Sequence, residues 1–319
     1  MKELQSTSNI LMIRPVNFAY NEQTAGNNAF QNRTQNQDVQ DAALSEFDEF
    51  VKILKENEVN VMVINDTPSP HTPDSVFPNN WISFHADGSI FLYPMQAENR
   101  RLERKQEIID HLKKDYLVNT VYDLSYFEKN NRFLEGTGSL VLDRENKIAY
   151  ACISPRTDQK VLNEFCLKSA YSLVYFNSVD GNGMAIYHTN VMMCIGSEFS
   201  VVCLDSVADK NEKEKLQKSL TDSGKEIIEI SLDQMNQFAG NMLQLSTKNK
   251  EQLLVMSNNA YKSLLQQQIS RLEHYCKLVY APLDTIESTG GGSARCMIAE
   301  IHLPEMNTEQ PNAMNNTIM

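Results

Sequence analysis

Short apolar runs recur along most of the chain, and their spacing is the feature that most limits its fold. The runs are four to eight residues long and rich in β-branched and aromatic residues, a composition typical of strands. They read "ILMI", "NVMVI", "WISF", "IFLY", "SLVL", "IAYACI", "SLVYF", "VMMCI", "SVVCL", "EIIEI", "LLVM", "LVYA" and "CMIAEIHL". Between several of them the apolar residues return with a period near 3.6, which predicts helices at 40–55, 101–114, 211–222 and 261–275.

Two pairs of these runs predict hairpins. "WISFHADGSIFLY" turns at Asp87 and Gly88, a dipeptide that tight hairpins favour, and "SLVLDRENKIAYACI" turns at 144–146. Hairpins followed by helices indicate an α/β fold that mixes hairpins with crossover connections. The strict strand–helix alternation of a Rossmann sheet is not followed. Neither G-x-G-x-x-G nor G-x-x-x-x-G-K-[ST] occurs, which argues against dinucleotide and P-loop chemistry.

Charge and composition narrow the classes of function. A formal net charge of -12 argues against a nucleic acid or an anionic membrane as partner, because both attract basic surfaces. No apolar run approaches the roughly 20 residues that span a bilayer, and "MKELQSTSNILMIRP" lacks the pattern of a secretory signal. The six cysteines show no metal-ligand spacing, and a reducing cytoplasm suits them best. We expect one domain over 1–304 and a polar, flexible tail over 305–319.

Three side chains stand where chemistry is expected. Cys296 ends "TGGGSARC", in which the glycines allow the backbone to approach a ligand closely. His188 lies between an apolar run and a turn, and is the histidine best placed to assist a cysteine nucleophile. Glu135 precedes a glycine turn at the mouth of an apolar strand in "RFLEGTGSLVL". Taken singly, each has a structural alternative: an incidental cysteine after a flexible loop, a structural histidine, or a turn glutamate.

Neutral amides accompany these residues. Asn79 and Asn80 precede the only tryptophan in "VFPNNW", and Asn190 follows His188 by two positions. Asparagine is common in turns, so a turn role is the alternative for each of them.

Together, these segments resemble the amidinotransferase/arginine deiminase superfamily, which has the pentein fold, from "ILMIRP" to "EIHLP". The resemblance implies five ββαβ units around a pseudo-fivefold axis. It makes Cys296 the nucleophile, through the glycine-rich segment "GGGSARC", and His188 the catalytic histidine, through "HTN". It aligns Glu135 with a carboxylate in a turn before a strand, and Asn80 with the last residue of an F-x-x-D segment.

The resemblance also implies two arginines for the substrate's α-carboxylate. "ISPRT" matches an S-x-R-T segment and assigns Arg156. The second arginine is expected on the helix after the first hairpin, where Arg101 is assigned and Arg100 is the alternative.

Two departures from the family pattern bear on the substrate. Members that act on a guanidinium usually carry aspartate at both amide positions, whereas this chain has Asn80 and Asn190. Two carboxylates suit a planar cation, but they would leave the C=O of a neutral ureido group without a donor, at a cost of roughly 1–3 kcal/mol. The chain thus resembles the citrulline utilization hydrolase branch, and we expect hydrolysis of L-citrulline to L-ornithine, carbon dioxide and ammonia.

The mechanism that the resemblance implies needs no metal and no organic cofactor. Cys296 attacks the ureido carbon, His188 acts as general acid and then as general base, and Glu135 binds ureido N–H groups. The partner is a small molecule, either citrulline or an arginine derivative. One alternative is an arginine deiminase, dimethylarginine hydrolase or amidinotransferase, and another is a non-catalytic pentein that only binds.

Two further points concern the lid and the assembly. The polar segment 17–32, which follows the first strand, is predicted to be a lid over the site. The sequence does not decide between a monomer and a homo-oligomer.

Overall fold

Five small three-stranded sheets make up the fold in the computed structural model, which describes residues 3–33 and 38–306. In chain order the strands are β1 (Asn9–Arg14), β2 (Asn60–Asn65), β3 (Ile82–Phe84), β4 (Ser89–Leu92), β5 (Thr120–Asp123), β6 (Val141–Asp143), β7 (Ile148–Cys152), β8 (Ser172–Phe176), β9 (Met193–Ile195), β10 (Phe199–Val202), β11 (Glu226–Glu229), β12 (Leu243–Ser246), β13 (Gln252–Ser257), β14 (Lys277–Ala281) and β15 (Ala299–Glu300). They form the sheets β15-β1-β2, β3-β4-β5, β6-β7-β8, β9-β10-β11 and β12-β13-β14.

The sheets share one rule of connection. The first two strands of a sheet pair antiparallel, and the second and third pair in parallel, as in β3–β4 and β4–β5. A parallel pair needs a long crossover, which helices supply here. First strands of neighbouring sheets touch at β15–β3, β6–β9 and β9–β12. The predicted pentein architecture of five ββαβ units is confirmed.

Two of the four predicted helices are continuous and two are interrupted. The helices are α1 (Glu22–Ala25), α2 (Val39–Glu56), α3 (Glu98–Arg101), α4 (Gln106–Leu112), α5 (Gly136–Ser139), α6 (Gln159–Ser169), α7 (Thr189–Met192), α8 (Lys210–Asp222), α9 (Leu232–Asn236), α10 (Asn258–Ser263), α11 (Gln266–Glu273) and α12 (Asp284–Gly290). The prediction over 101–114 breaks at Lys105, which is extended and pairs with Asp66. The prediction over 261–275 breaks at Leu264, which is extended and buried in the core.

The ends of the described chain meet in one sheet. β15 pairs antiparallel with β1, where Ile10 faces Glu300, so one unit takes its first strand from the far end of the sequence. Behind this seam Glu3 forms a buried ion pair with Arg144 at 3.0 Å. The ring of sheets is therefore closed by contacts between residues nearly 300 positions apart.

The predicted tail begins with ordered residues. Glu305 pairs with Tyr116 in an isolated bridge, and the Met306 N–H donates to the Asp115 carbonyl at 2.9 Å. Residues 307–319, the rest of that prediction, lie outside the described part of the chain.

Candidate active site

Polar side chains converge from the turns that precede the first strands of several sheets. Asn80 precedes β3, Glu135 precedes β6, Asn190 precedes β9 and Cys296 precedes β15. Each of these side chains is buried. The first strands of neighbouring sheets touch one another, and Asn80, His188 and Cys296 line one small cavity. Glu135 and Asn190 lie behind it, in contact with His188 and Cys296.

Cys296 is held by a tight turn at the end of α12. The helix ends at Gly291, whose φ of 67° is left-handed, and the Cys296 N–H then donates to the Ser293 carbonyl at 2.9 Å. A Cβ on Gly290 or Gly292 would lie 2.8 or 2.9 Å from the ring of Phe77. The three glycines are therefore required by a left-handed turn and by the close approach of Phe77.

Two amides contact the thiol of Cys296. Asn190 Nδ2 lies 3.4 Å from Sγ, and Asn241 Nδ2 lies 3.3 Å from it. Asn190 was a predicted site residue, whereas Asn241 was not. In the sequence, Asn241 stands between a glycine and the start of an apolar strand, in "AGNMLQL", and this placement is the signal that could have identified it.

His188 and Glu135 form a buried pair. His188 Nε2 and Glu135 Oε2 are 2.8 Å apart, so the imidazole donates from Nε2 and keeps the lone pair of Nδ1 when it is neutral. Burial lowers the pKa of His188 to about 4, although the hydrogen bond to Glu135 acts the other way. Burial alone would raise the pKa of Glu135, but Arg156 and His188 outweigh it and lower that pKa to about 2. At neutral pH the pair is thus a neutral base oriented by a carboxylate.

Asn80 is oriented by the buried guanidinium of Arg100. Arg100 Nη1 donates to Asn80 Oδ1 at 2.8 Å, and the other side of the guanidinium pairs with Glu103. Asn80 Nδ2 is buried and has no hydrogen-bond partner. Arg101, the predicted second arginine, does not line the cavity, because its side chain donates to the Met95 and Gln96 carbonyls. Its neighbour Arg100, the alternative, lines the cavity instead.

Arg156 joins the site to the predicted lid. Its Nε and Nη2 donate to Asn27 Oδ1 at 2.9 and 2.5 Å, and Nη2 also donates to the Thr24 carbonyl. Its guanidinium lies 4.9 Å from the ring centroid of Tyr187 and 3.5 Å from a Glu135 oxygen. Segment 17–32 therefore lies over the cavity, as predicted, with Thr24 and Asn28 lining it.

Asp74 is a second site residue that the sequence analysis missed. Its Oδ2 accepts from Asn21 Nδ2 at 2.7 Å and from the Thr24 hydroxyl at 3.4 Å, both on the lid segment. Its Oδ1 is buried without a partner, and burial raises the pKa of this carboxyl. The position of Asp74 between a proline and an apolar pair, "PDSVF", reads as an ordinary turn in the sequence.

With the lid in this position the cavity is nearly filled. Its volume is about 10 Å³, which is at the lower limit for one water molecule. An amino acid cannot enter unless the lid releases Arg156 and Asp74. Chemically, the arrangement offers a thiol nucleophile, a neutral imidazole base and amide groups for a planar, polar carbon centre.

One family profile covers most of the chain. The profile of the family "N,N dimethylarginine dimethylhydrolase, eukaryotic" matches residues 14–303. No curated protein sequence matches the chain. Within the described part of the chain, no helix is both long enough and apolar enough to cross a membrane.

Several solved structures share the fold. The N-terminal domain of ArgZ, covalently bound to a reaction intermediate, has a TM-score of 0.72 at 18% identity over 93% of this chain and 98% of that chain. Full-length ArgZ, "an Arginine Dihydrolase from the Ornithine-Ammonia Cycle in Cyanobacteria", gives 0.71 at 18% identity over 94% of this chain and 41% of that chain. A dimethylarginine dimethylaminohydrolase variant, as an adduct with S-methyl-L-thiocitrulline, gives 0.63 at 14% identity over 92% and 99%.

Proposed function

This chain belongs to the N,N dimethylarginine dimethylhydrolase family of the pentein amidinotransferase/arginine deiminase superfamily, a group of C–N hydrolases, and we propose that it hydrolyses L-citrulline. The products are L-ornithine, carbon dioxide and ammonia, formed from one citrulline and one water. The proposal makes Cys296 the nucleophile and His188 the proton carrier, with a ureido carbon as the electrophile.

The orientation of Asn80 is the observation that carries this proposal. The Arg100 guanidinium can only donate, so it fixes Oδ1 of Asn80 on its own side and leaves Nδ2 as the group available to a ligand. A guanidinium substrate has five N–H donors and no acceptor, so it cannot satisfy that donor. The C=O of a ureido group can.

Asn190 complements this donor. Its Nδ2 faces the thiol, and its buried Oδ1 has no hydrogen-bond partner. A ureido group has N–H donors next to its C=O, so we infer that one neutral group pairs with both amides. Since an unpaired buried polar atom costs about 1–3 kcal/mol, two such pairings amount to a clear preference.

The amino-acid end of citrulline has complementary partners near the lid. Arg156 lines the cavity as the cation for the α-carboxylate, and a guanidinium fork suits a carboxylate. Asp74 Oδ1 is an unpaired acceptor for the α-ammonium. Asn27 and the Thr24 carbonyl accept from Arg156 in this structure, so the substrate's carboxylate replaces contacts that the lid makes.

The reaction that we propose uses Cys296, His188 and Glu135. Sγ attacks the ureido carbon while the thiol proton passes to His188 Nδ1, and Glu135 stabilises the imidazolium through Nε2. His188 returns the proton to the departing nitrogen as the C–N bond breaks. It then takes a proton from the water that hydrolyses the thioester, which releases Cys296 and yields a carbamate that decomposes.

The test is turnover of three substrates by the purified protein. Citrulline, arginine and asymmetric dimethylarginine are incubated separately, and ornithine, citrulline and ammonia are quantified. We expect ornithine and ammonia in equal amounts from citrulline, and neither from arginine. Citrulline produced from arginine, with no ornithine from citrulline, overturns the proposal.

The runner-up is a guanidine-modifying enzyme of the same superfamily. Two carboxylates, Asp74 and Glu135, lie at the site and would suit a cationic substrate. The similar structures are described as an arginine dihydrolase and a dimethylarginine dimethylaminohydrolase. A dihydrolase would release two ammonia molecules for each ornithine made from arginine, so the same assay separates it from a citrulline hydrolase.

A further inference from the structure

The sheet β12-β13-β14 also places a polar side chain before its first strand, and this residue is Asn241. We propose that Asn241 is a further catalytic residue, which donates a hydrogen bond to Cys296 Sγ and stabilises the nucleophile as a thiolate. Asn80, Glu135, Asn190 and Cys296 likewise precede the first strands of the other four sheets. With Asn241, each unit of the ring contributes at least one side chain to the reaction centre.

Hydrogen bonds fix which end of Asn241 faces the thiol. Oδ1 accepts from the Arg295 N–H at 3.1 Å, a group that can only donate. Nδ2 donates to the Asn190 carbonyl at 3.0 Å, a group that can only accept. A flipped amide would lose both bonds, so Nδ2 is the group 3.3 Å from Sγ. The neutral thiol also donates to Oδ1 across a longer distance of 3.7 Å, whereas a thiolate keeps only the shorter contact with Nδ2.

The backbone before Asn241 is shaped to bring it to this place. Phe238 has a φ of 62°, a left-handed value that is unfavourable for a residue with a side chain. Gly240 packs so closely that a Cβ would lie 2.3 Å from the Val191 carbonyl oxygen. The Asn241 N–H then closes the turn on the Phe238 carbonyl at 2.8 Å. Asn241 is thereby docked on the turn that carries His188 and Asn190.

The thiolate depends on these amides because the positively charged side chains near it are already paired with carboxylates. The Arg295 guanidinium is paired with Glu300 at 2.7 Å, and Arg100 and Arg156, which line the cavity with Cys296, are paired with Glu103 and Glu135. His188, which is bonded to Glu135, is a neutral base and adds no positive charge. A ureido substrate, if the proposed function holds, brings no positive charge to the sulfur. Hydrogen bonds to an ionised acceptor are about twice as strong as neutral ones, so an N–H aimed at Sγ favours the thiolate over the thiol.

The test measures alkylation of Cys296 without substrate. Wild type, Asn241→Ala and Asn241→Asp are treated with iodoacetamide from pH 5 to 10, and labelling of Cys296 is followed by peptide mass spectrometry. We expect the midpoint of the pH–rate profile to rise by about one unit in Asn241→Ala. We expect a larger rise in Asn241→Asp, which keeps the shape and the acceptor for Arg295 but presents an anion to the sulfur.

Gln244→Ala is the matched control. Gln244 is also a buried amide of this sheet, and its Nε2 lies 3.2 Å from the sulfur of Cys276, a cysteine with no role in the site. We expect this variant to leave the Cys296 midpoint unchanged, although it too loses an amide–sulfur contact. Circular dichroism melting confirms that each variant is folded, and the near-isosteric Asn241→Asp serves if the alanine variant unfolds.

The possible results separate this inference from the proposed function. An unchanged midpoint in a folded Asn241 variant overturns the role of Asn241. A shifted midpoint in a protein that does not hydrolyse citrulline supports Asn241 and refutes the citrulline proposal alone. A fall in kcat for citrulline with little change in KM is the expected kinetic counterpart, because the contact is to the nucleophile.

Discussion

Replacing Asn80 by aspartate exchanges one NH₂ group for an oxygen and removes the donor that a ureido oxygen would need. Arg100 Nη1 donates to Oδ1 at 2.8 Å, and this contact survives the change as a charge-assisted one. We therefore expect the Asn80→Asp side chain to stay in place and the fold to be kept. What changes is the unpaired Nδ2, which becomes an acceptor facing the ligand.

The size of the effect follows from the lost pairing. A buried carbonyl left without its donor costs about 1–3 kcal/mol, and each 1.4 kcal/mol is a factor of ten in rate. We expect kcat/KM for citrulline to fall by about 10- to 100-fold in Asn80→Asp. Activity toward arginine should rise from the wild-type level, since a carboxylate suits a guanidinium. Both are measured as ornithine, citrulline and ammonia released under initial-rate conditions.

Asn182→Asp is the control for the added charge. Asn182 lies exposed on the loop before His188, so the same chemical change there should leave both substrates unaffected. A citrulline kcat/KM within twofold of wild type in Asn80→Asp would refute the reasoning, because it would show that the Asn80 amide does not contact the reacting group.

Three other predictions concern the proton carrier, pH and the lid. Glu135→Gln keeps the shape of the side chain but removes the charge that stabilises the imidazolium form of His188. We expect kcat to fall at least about 100-fold with little change in KM. A kcat within threefold of wild type would contradict this. Burial lowers the pKa of His188 to about 4 and that of His85 to about 3, so the unfolded chain binds more protons between these values and 6.5. Each of these histidines therefore lowers the free energy of unfolding by up to about 1.4 kcal/mol per pH unit below 6.5, whereas burial raises the pKa of Glu103 to about 7, which acts in the opposite direction. Urea titration of wild type and His85→Phe isolates the His85 contribution. The wild type should lose more stability than His85→Phe as the pH drops from 6.5 towards 4, and equal slopes would argue against this reasoning. Asn27→Ala removes two of the contacts that hold Arg156 to the lid. We therefore expect iodoacetamide to label Cys296 about tenfold faster at fixed pH. An unchanged labelling rate would show that other contacts hold the lid.

The sequence predicted the order of strands and helices better than the residues at which each begins and ends. Thirteen apolar runs correspond to strands, but β5 ("TVYD") and β12 ("LQLS") were not among them, because an exposed or mixed short strand has no apolar run. The periodicity of the apolar residues also predicted one helix where the structure has α3 and α4, and one where it has α10 and α11. The breaks between them are set by tertiary contacts, the Lys105–Asp66 pair and the burial of Leu264, which a periodic pattern does not encode.

The sequence predicted the site residues that belong to recognisable motifs. It missed residues of a common type whose role depends on where the fold places them. The structure brings Cys296, His188, Glu135 and Asn190 together as the motifs implied. Asn241, by contrast, is an asparagine between a glycine and a strand, and only the meeting of sheets distant in sequence places it on the sulfur. The choice between Arg100 and Arg101 likewise depended on which side of a short helix faces inward.

The seam between β15 and β1 has a consequence for synthesis of the protein. Cys296 lies three residues before β15, the strand that completes the sheet opened by β1. Synthesis runs from the N-terminus, so the segments of the other four sheets are made before the last strand. The proposed nucleophile and the strand that closes the ring are then made within a few residues of each other. A chain that stops before residue 296 therefore lacks both the closing strand and the proposed nucleophile.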